Sequence, residues 1–407
     1  MMQPACISSG LPTTRWAAVL LVVAAGVTSA LHVGKAAIGA PLLQADLGIG
    51  LSAVGWLTGI FAALGVVGGV PAGVLVGAFG ARRLLIAGLL ITAAGAAVGA
   101  LSTDLTVLMA SRVFEGAGFL LIIVAAPSLL NAITSPSDRD LAFALWSCFM
   151  PVGMGLAMMA GPLMTDWRMM WWASFLFSIC LSVPALLVIP AVLNRQAWSW
   201  RSLFEDVAAV FRAGTPLGLA AVFALYSLMF FALFSFLPVL LMGRMGVTHQ
   251  AAGVLSALVL VLNVFGNLAA GMLLSRGAHR ALLLGIACLA MGGAGVGAFL
   301  PGLPDAVVLA LCLLFSAAAG IVPATLLASA PVAAPAAGQV PVVLGLIVQG
   351  SNLGQILGPA IVGDAIEAHG WSSAAYVVAI AATTAAILAV TFRRRLQASS
   401  TRREARS

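Results

Sequence analysis

The sequence predicts an all-α membrane protein with twelve transmembrane helices in two pseudo-symmetric six-helix bundles. Of its 407 residues, 62% are hydrophobic and only 8% are charged, whereas soluble domains are about 25% charged. Long apolar runs recur along the whole chain, and landmarks of its first half return 197 or 198 positions later. So few charges cannot cover a water-exposed surface of this size, which excludes a soluble fold. Disorder is also excluded, because disordered chains are poor in apolar residues.

Each element follows from the apolar runs. A helix of about 20 apolar residues crosses a bilayer, and such runs end here at Pro, Gly and clusters of charge. Twelve runs meet this condition. The predicted helices are 16–40, 52–77, 84–102, 106–128, 141–164, 170–191, 216–240, 251–274, 281–300, 306–329, 339–362 and 371–392.

The basic residues predict the orientation of these helices, because cytoplasmic loops are enriched in Arg and Lys. With both chain ends inside, fifteen of the nineteen basic residues lie on the cytoplasmic side, and only Arg168 and Arg244 lie outside. We expect a multi-pass protein of the cell (inner) membrane with cytoplasmic termini. The net charge of +7 then needs no nucleic-acid partner. A cleaved signal peptide ending near Ala30 is less favoured, since the apolar run continues to Gly39.

An internal repeat divides the chain into halves. The segment that begins at Gly73 returns at Gly271, and the pair Gly161-Pro162 returns as Gly358-Pro359. The repeat predicts four regions. They are an N-terminal six-helix bundle (1–191), a cytoplasmic linker with an amphipathic helix (192–215), a C-terminal six-helix bundle (216–392) and a basic cytoplasmic tail (393–407).

The linker carries apolar residues at helical spacing, with charged residues between them. The apolar positions are Trp200, Leu203, Phe204, Val207 and Phe211. This pattern is typical of a helix that lies in the membrane interface. A lipid or partner sensor is the alternative function of this segment.

Glycines every four residues predict close helix packing, because backbones without Cβ atoms approach closely in lipid. One ladder is on the second helix and one is on the eleventh. Their members are Gly65, Gly69, Gly73 and Gly77, and Gly350, Gly354 and Gly358.

Four short motifs follow one another in the first half. They are the loop with Gly73, Gly77, Gly80, Arg82 and Arg83; Arg112-x-x-x-Gly116-x-Gly118; Gly153 with Gly161 and Pro162; and Trp167-Arg168. With the repeat and the topology, they resemble the major facilitator superfamily over essentially the whole chain. The first motif departs from the family pattern, which usually has Asp and a basic residue where Gly77 and Ala78 stand. The resemblance implies two bundles that rock about a central site, with the loop motif and the pairs Gly161-Pro162 and Gly358-Pro359 in gating and packing.

Lys35, the only lysine in the chain, is a candidate for substrate binding. It shares one face of the first helix with His32 and Thr28. An ionisable side chain in hydrocarbon is costly and marks a functional candidate. One interpretation is that Lys35 lines the central cavity and holds an anion, with His32 as a second donor or a proton acceptor. The alternative is that Lys35 extends to the outer headgroups.

Arg112 and Glu115 lie three residues apart on the fourth helix and can pair with each other. They are either a permanent structural pair or part of a proton relay. In the superfamily that the motif resembles, the arginine is implicated in proton coupling, which makes Glu115 the candidate proton carrier.

Amides and hydroxyls on the second-half helices predict a hydrated path. Such side chains either contact substrate or bond neighbouring helices. The substrate-binding candidates among them are Tyr226, Asn263, Gln349 and Asn352, with Ser227, Asn267 and Gln355 nearby. The third, sixth, ninth and twelfth helices carry no charge, and the resemblance makes them peripheral.

The expected function is secondary active transport, by alternating access, of a small organic or inorganic anion coupled to protons, because interior cations outnumber Glu115. Proton-coupled efflux of drug-like compounds is the alternative, and a non-transporting membrane sensor is a remote one. No phosphate-binding loop and no hydrolase or metalloprotease motif is present. We therefore expect no enzyme activity, no cofactor and no metal. The expected partners are a small-molecule substrate, protons and the lipid bilayer, with the chain working as a monomer.

Overall fold

The computed structural model describes residues 13–191 and 200–392. Side-chain surroundings are described for these ranges except at positions 70, 72–75, 77, 78, 140, 200–203 and 337. The part of the predicted linker over 192–199 and the predicted tail over 393–407 therefore lie outside the described residues. Within them the chain is all-helical.

Nine α-helices form the first half in the described residues. They are α1 Trp16–Ile38, α2 Ala40–Leu47, α3 Leu51–Gly59, α4 Ala63–Phe79, α5 Ala81–Ala100, α6 Leu105–Ile133, α7 Arg139–Ser147, α8 Phe149–Ala160 and α9 Trp167–Val188. Short 3-10 turns, Ile60–Ala62 and Gly161–Leu163, follow α3 and α8.

The linker helix and the second half contribute eight more helices to the described part. They are α10 Trp200–Ala213, α11 Thr215–Phe234, α12 Leu237–Met245, α13 His249–Ser275, α14 Arg280–Phe299, α15 Asp305–Ala333, α16 Val340–His369 and α17 Ser372–Thr391. A 3-10 turn, Ala337–Gln339, precedes α16.

Eleven spans in the described residues are long and apolar enough to cross a membrane. The pair α7 and α8, inclined at 41°, makes a twelfth when it is counted as one span. Pro151 lies in the first turn of α8, where it cannot donate a backbone hydrogen bond to α7, and this accounts for the bend. The predicted fold class is confirmed.

The predicted helix bounds differ from the structure at several places. α6 runs on to Ile133 and α16 to His369, beyond the predicted ends. The predicted helix 216–240 breaks after Phe234, and α12 begins at Leu237. Pro238 explains the break, because its missing N–H is tolerated in a first turn but not in a helix interior.

The repeat is visible in the backbone. Gly48 and Gly246, 198 positions apart, end α2 and α12 in the left-handed conformation, with φ of 64° and 62°. Glycine is the residue that adopts this conformation without strain. α6 and α15 have 29 residues each and begin 200 positions apart. The two halves are therefore pseudo-symmetric in local detail as well as in the number of spans, with the bent pair counted as one.

The glycine ladder on α16 packs against α11. A Cβ atom at Gly350, Gly354 or Gly358 would meet the backbone carbonyl of Ala220, Ala224 or Leu228 respectively. The three carbonyls are themselves four residues apart. The ladder thus brings two backbones into direct contact.

The two halves pack together at the end of the bundle where α1 ends and α17 begins. There a Cβ atom at Gly253 of α13 would lie 2.7 Å from Pro162 Cγ. A Cβ atom at Gly55 of α3 would meet the carbonyl of Pro359 on α16. Gly55 and Gly253 are 198 positions apart, so two repeat-related contacts close this end. We call them the Gly-Pro seals.

Polar contacts add to these seals. The imidazole Nε2 of His249, at the start of α13, lies 2.7 Å from the carbonyl oxygen of Ile38. The backbone N–H of Ser52 donates to Glu367 Oε2 at 2.8 Å, and its hydroxyl donates to Asp364. Both carboxylates therefore lie at the N-terminus of α3, where negative charge is favoured. This end of the structure is closed by α1, α3, α13 and α16.

Candidate functional site

A buried ion cluster lies inside the first half. The ammonium Nζ of Lys35 donates to Glu115 Oε1 at 2.5 Å. A guanidinium nitrogen of Arg112 donates to Glu115 Oε2. His32 Nδ1 lies 3.2 Å from the ammonium and 3.3 Å from Glu115 Oε1. All four side chains are at most 1% exposed.

Local helix geometry assembles the cluster. His32 and Lys35 share a face of α1, and Arg112 and Glu115 share a face of α6, because residues three apart are neighbours on a helix. Gly95 of α5 leaves room for the carboxylate. A Cβ atom at this position would lie 2.8 Å from the backbone nitrogen of Glu115 and 2.9 Å from its Cγ.

Backbone carbonyls and an aromatic ring hold the Arg112 guanidinium. Its Nη1 donates to the carbonyl of His32 at 2.9 Å, and its Nε donates to the carbonyl of Leu57 at 3.3 Å. Its carbon Cζ lies 4.5 Å from the centre of the Phe61 ring, where a cation–π attraction operates. The guanidinium thus joins α1, α3 and α6, while its Nη2 has no hydrogen-bond partner among the described residues.

The sixth span contributes two further residues to the cluster. Lys35 Nζ lies 4.5 Å from the centre of the Trp171 ring, and the His32 Nε2 is 3.0 Å from Ser178 Oγ. With Lys35 donating to Nδ1, the Nε2–H donates to the serine. Sequence reasoning missed both residues, since this span was expected to be peripheral. The available signal was the serine ladder 174, 178 and 182, which is buried along one face of α9.

Neither predicted environment of Lys35 is the one in this structure. Its ammonium is 1% exposed, so it does not reach the headgroups, and it faces Glu115 instead of an open cavity. Its role in substrate binding stays a prediction. Arg112 and Glu115 do pair as their spacing indicated, but the pair is one side of a larger network.

The cluster carries an excess of positive charge. In the described part of the chain, the buried residues with a formal charge are Lys35, Arg112 and Glu115. With His32 neutral, their sum is +1. A buried charge without a partner is costly. The cluster thus holds one more formal positive charge than negative charge.

Within residues 200–392 the second half has no ionic counterpart of this cluster. α1 and α11 begin 199 positions apart, and α6 and α15 begin 200 apart. Across the repeat offsets of 197 to 200 positions, Lys35 corresponds to a residue within 232–235 and Glu115 to one within 312–315, and none of these residues is charged. The repeat thus keeps the helices and does not keep the charges.

The predicted polar residues of the seventh and eighth spans form one buried chain. The side chains of Tyr226 on α11 and Asn263 on α13 are near enough to interact. Asn263 Nδ2 lies 3.3 Å from the carbonyl of Ser316 on α15, and Asn267 Nδ2 donates to Asn263 Oδ1 at 3.2 Å. Asn263 therefore links α13 to α15, whereas Asn267 bonds within α13. Contact of Tyr226 or Asn263 with substrate stays a prediction.

The predicted amides of the eleventh span lie along the contact between α16 and α4. The side chain of Asn352 packs against Gly65, and that of Gln349 packs against Gly69. Asn352 Nδ2 donates to the carbonyl of Val348, one turn earlier. Both amides therefore lie at the contact between the two halves, and their binding role is untested.

The predicted gating residues occupy distinct places. Gly80, with φ of 85°, separates α4 from α5. Arg82 donates to the carbonyl of Leu186 at the end of α9, within the same half, and Arg83 is exposed. Gly73 and Gly77 belong to α4, and their side-chain surroundings lie outside the described part. The pairs Gly161-Pro162 and Gly358-Pro359 lie at the contacts already described.

The described residues thus form a polytopic membrane protein of eleven spans, or twelve with the bent pair counted as one, in two halves that meet at one end. The chain belongs to the Major Facilitator Superfamily, whose sequence profile matches residues 17–341. The members of this family are membrane transporters.

Curated relatives match a limited region. An inner membrane transport protein, YajR, of Escherichia coli (strain K12) is 27% identical over 164 residues, which are 38% of this chain and 36% of the relative. The puromycin resistance protein pur8 of Streptomyces alboniger is 29% identical over 162 residues, 38% of this chain and 31% of the relative. The chain therefore spans about a third of the length of these relatives.

Solved structures match nearly the whole fold. A mutant form of the nucleoside transporter NupG gives a TM-score of 0.73 at 15% identity, over 93% of this chain and 99% of that one. A bacterial homologue of the human lysosomal transporter Spinster, in an inward-facing and occupied conformation, gives 0.70 at 18% identity, over 95% and 97%. At these identities the likeness is one of fold.

Proposed function

We propose that this chain is a proton-coupled transporter of a small anion and that Glu115 carries the coupling proton. The observation that supports it best is the bonding of Glu115 to both Lys35 and Arg112 in a cluster of net charge +1. Either cation alone would neutralise the carboxylate. A second buried cation is costly unless a further anion balances it.

Protonation of Glu115 changes this balance. A neutral carboxyl no longer attracts Lys35 and Arg112, so two cations are left without a counter-charge. At about 4 Å, the interaction of two unit charges is about 4 kcal/mol at the effective dielectric typical of proteins. A substrate carboxylate or phosphate that replaces the lost charge is therefore favoured when Glu115 holds a proton.

Proton and anion binding then support each other in both directions. If protonation raises the affinity for the anion, anion binding raises the affinity for the proton by the same factor. Such coupling moves both species in the same direction across the membrane. His32, between Lys35 and Ser178, is the second group through which a proton passes.

The substrate crosses the membrane by alternating access. The Gly-Pro seals close one end of the bundle. When the halves separate at that end, the site becomes accessible from the side of the membrane on which that end lies. The chain acts as a monomer with an N-terminal bundle over 1–191, a linker over 192–215 and a C-terminal bundle over 216–392. The distribution of arginines supports an inner-membrane setting with cytoplasmic termini and a basic tail over 393–407.

Efflux of drug-like compounds is the second candidate, and one observation favours it. The puromycin resistance protein of Streptomyces alboniger is a relative of this chain. Against a cationic drug stands the charge of the interior. In the described spans the one buried acid, Glu115, already has two cationic partners.

The two candidates are separated by flux through purified protein in proteoliposomes with an imposed pH gradient. The panel contains radiolabelled monocarboxylates, dicarboxylates and inorganic phosphate, with puromycin and ethidium as drug probes. We expect proton-driven flux of an anion and its loss in Lys35→Ala. Robust drug efflux, with anion flux absent or unchanged in Lys35→Ala, would overturn the proposal.

A further inference from the structure

A cavity unrelated to the ion cluster opens at the sealed end of the second half. Its volume is about 460 Å³. The ends of four helices line it. The lining includes Leu240 and Arg244 of α12, Phe299 of α14, Asp305 of α15 and Trp371 before α17. It therefore lies at the edge of the bundle, at the ends of α14 and α17, which carry exposed apolar side chains such as Ile286 and Ile380.

Arg244 is the cation of this cavity, and it has no ion-pair partner among the described residues. Its Nη1 donates to the carbonyls of Ala298 at 3.1 Å and Leu300 at 2.7 Å, and its Nη2 donates to Leu303 at 3.2 Å. These bonds fix the guanidinium at the end of α14. They leave its positive charge uncompensated by any carboxylate of the described part within 4 Å.

In the first half, the position that corresponds to Arg244 has partners within the chain. Gly48 and Gly246 correspond in the repeat, so Arg244 corresponds to Asp46. Asp46 accepts from the Trp167 indole at 2.9 Å and from Arg168 at 2.7 Å. These two hydrogen bonds hold the pKa of Asp46 below its ordinary value. A carboxylate and a guanidinium of the chain itself thus complete the first site.

The second half lacks that completion. α9 begins at Trp167 and α17 at Ser372, so Ser373 corresponds to Arg168. Because Arg244 stands in the place of Asp46, its partner would have to be anionic. The residue in the place of Arg168 is instead a serine. The charge-bearing partner is therefore missing at the corresponding position, and a cavity is left beside Arg244.

Asp305 adds a second charge of opposite sign. It is the first residue of α15, it is exposed, and it lines the same cavity. Phe299 and Trp371 stack with their ring centres 6.4 Å apart and form an apolar wall. Tyr376 and Ile380 of α17 are 71% and 68% exposed, as expected of a lipid-facing helix. Trp and Tyr are typical of the membrane interface.

We propose that this cavity binds the headgroup of a zwitterionic phospholipid with a primary ammonium, such as phosphatidylethanolamine. The phosphate pairs with Arg244, the ammonium pairs with Asp305, and the glycerol end lies against the Phe299 and Trp371 wall. A lipid is favoured over a soluble phosphate ester because the cavity lies at the lipid-facing edge, beside α17. The site is independent of the proposed transport mechanism.

The test is native mass spectrometry of the whole protein released from nanodiscs that contain equal amounts of phosphatidylethanolamine and phosphatidylcholine. Wild type is expected to retain phosphatidylethanolamine preferentially. Gly243→Leu fills the cavity, because a Cβ atom there meets nothing within 4 Å, and it should abolish that retention. The matched control is Gly293→Leu, at an exposed position of α14 where a Cβ atom also meets nothing within 4 Å.

Two variants separate the charges. Arg244→Gln should lower retention roughly tenfold, the factor of one charge-assisted hydrogen bond. Because Arg244 also binds three carbonyls, Asp305→Asn serves as the second variant. It should remove the preference for ethanolamine over choline and keep phospholipid bound.

Three results would overturn the proposal. They are equal retention of the two lipids by wild type, equal retention by the Gly243→Leu and Gly293→Leu variants, and unchanged selectivity in Asp305→Asn. Soluble phosphoethanolamine is added in a second arm. Displacement of the lipid by it at equal concentration would identify a soluble ligand and contradict the lipid assignment.

Discussion

Glu115 is surrounded by more positive charge than it can neutralise. Lys35 and Arg112 both contact its carboxylate, and the cluster is fully buried. Removal of one member of a buried pair costs about 3–5 kcal/mol, because the remaining charge stays buried without a partner. The loss of stability therefore depends on which member of the cluster is removed. Loss of the acid leaves two cations, whereas loss of Lys35 leaves a balanced pair.

This asymmetry predicts an order of stability. Glu115→Gln should destabilise the protein by about 3–5 kcal/mol. Lys35→Met keeps the Arg112–Glu115 pair and a similar side-chain volume, so it should cost about 1–2 kcal/mol. Thermal unfolding of detergent-purified protein would give the highest Tm for wild type, then the Lys35→Met variant, then the Glu115→Gln variant.

The matched control is Asp166→Asn. This exposed carboxylate caps α9, and asparagine caps equally well, so the Tm should stay close to that of wild type. A Tm for the Lys35→Met variant at or below that of the Glu115→Gln variant would contradict a cluster of excess positive charge.

At the scale of elements, the Gly-Pro seals predict how the closed end responds to added bulk. A side chain at Gly55 meets the carbonyl of Pro359, and one at Gly253 meets Pro162. Overpacking costs about 1–3 kcal/mol. If only the closed arrangement bears this cost, the equilibrium between the closed and the open arrangement shifts about 5- to 150-fold towards the open one.

Gly55→Val and Gly253→Val should therefore each separate the halves at this end. Spin labels on cysteines introduced at Ala45 and Gln250, both exposed, report the distance by double electron–electron resonance. Both variants should gain a longer-distance population, and Gly293→Val, with open space around it, should not. Unchanged distances in both seal variants would show that these contacts do not hold the end closed.

The sequence predicted the spans well and the joints poorly. Twenty-residue apolar runs are unambiguous, so each of the twelve predicted helices has its counterpart. The short helices α2 and α12 continue the apolar runs before them, and apolarity alone does not reveal where the backbone turns. Pro238 was the available signal for the break after Phe234.

The candidate site was predictable where its partners share a helix. Arg112 and Glu115 were paired from their spacing on one helix. The bond between Lys35 and Glu115 joins residues 80 positions apart, and only the packing of α1 against α6 brings them together. Trp171 and Ser178 were missed because charge was the criterion for a functional span, and α9 contributes a ring face and a hydroxyl.

At the scale of the whole molecule, the two halves share a fold and differ in chemistry. The first half holds the ion cluster, whereas the corresponding positions of the second half carry no charge. At the sealed end the halves differ again. Asp46 pairs with Arg168 in the first half, whereas in the second half a cavity lies beside Arg244. We infer that proton coupling belongs to the first half.

The most direct test of this account measures accumulation of the transported anion in proteoliposomes driven only by a pH gradient. Wild type and the Asp166→Asn control should concentrate the anion above the external level. Glu115→Gln should still exchange the anion down its gradient but should not concentrate it, because no carboxylate is present to carry the proton. Proton-driven accumulation in the Glu115→Gln variant at the wild-type level would contradict the account.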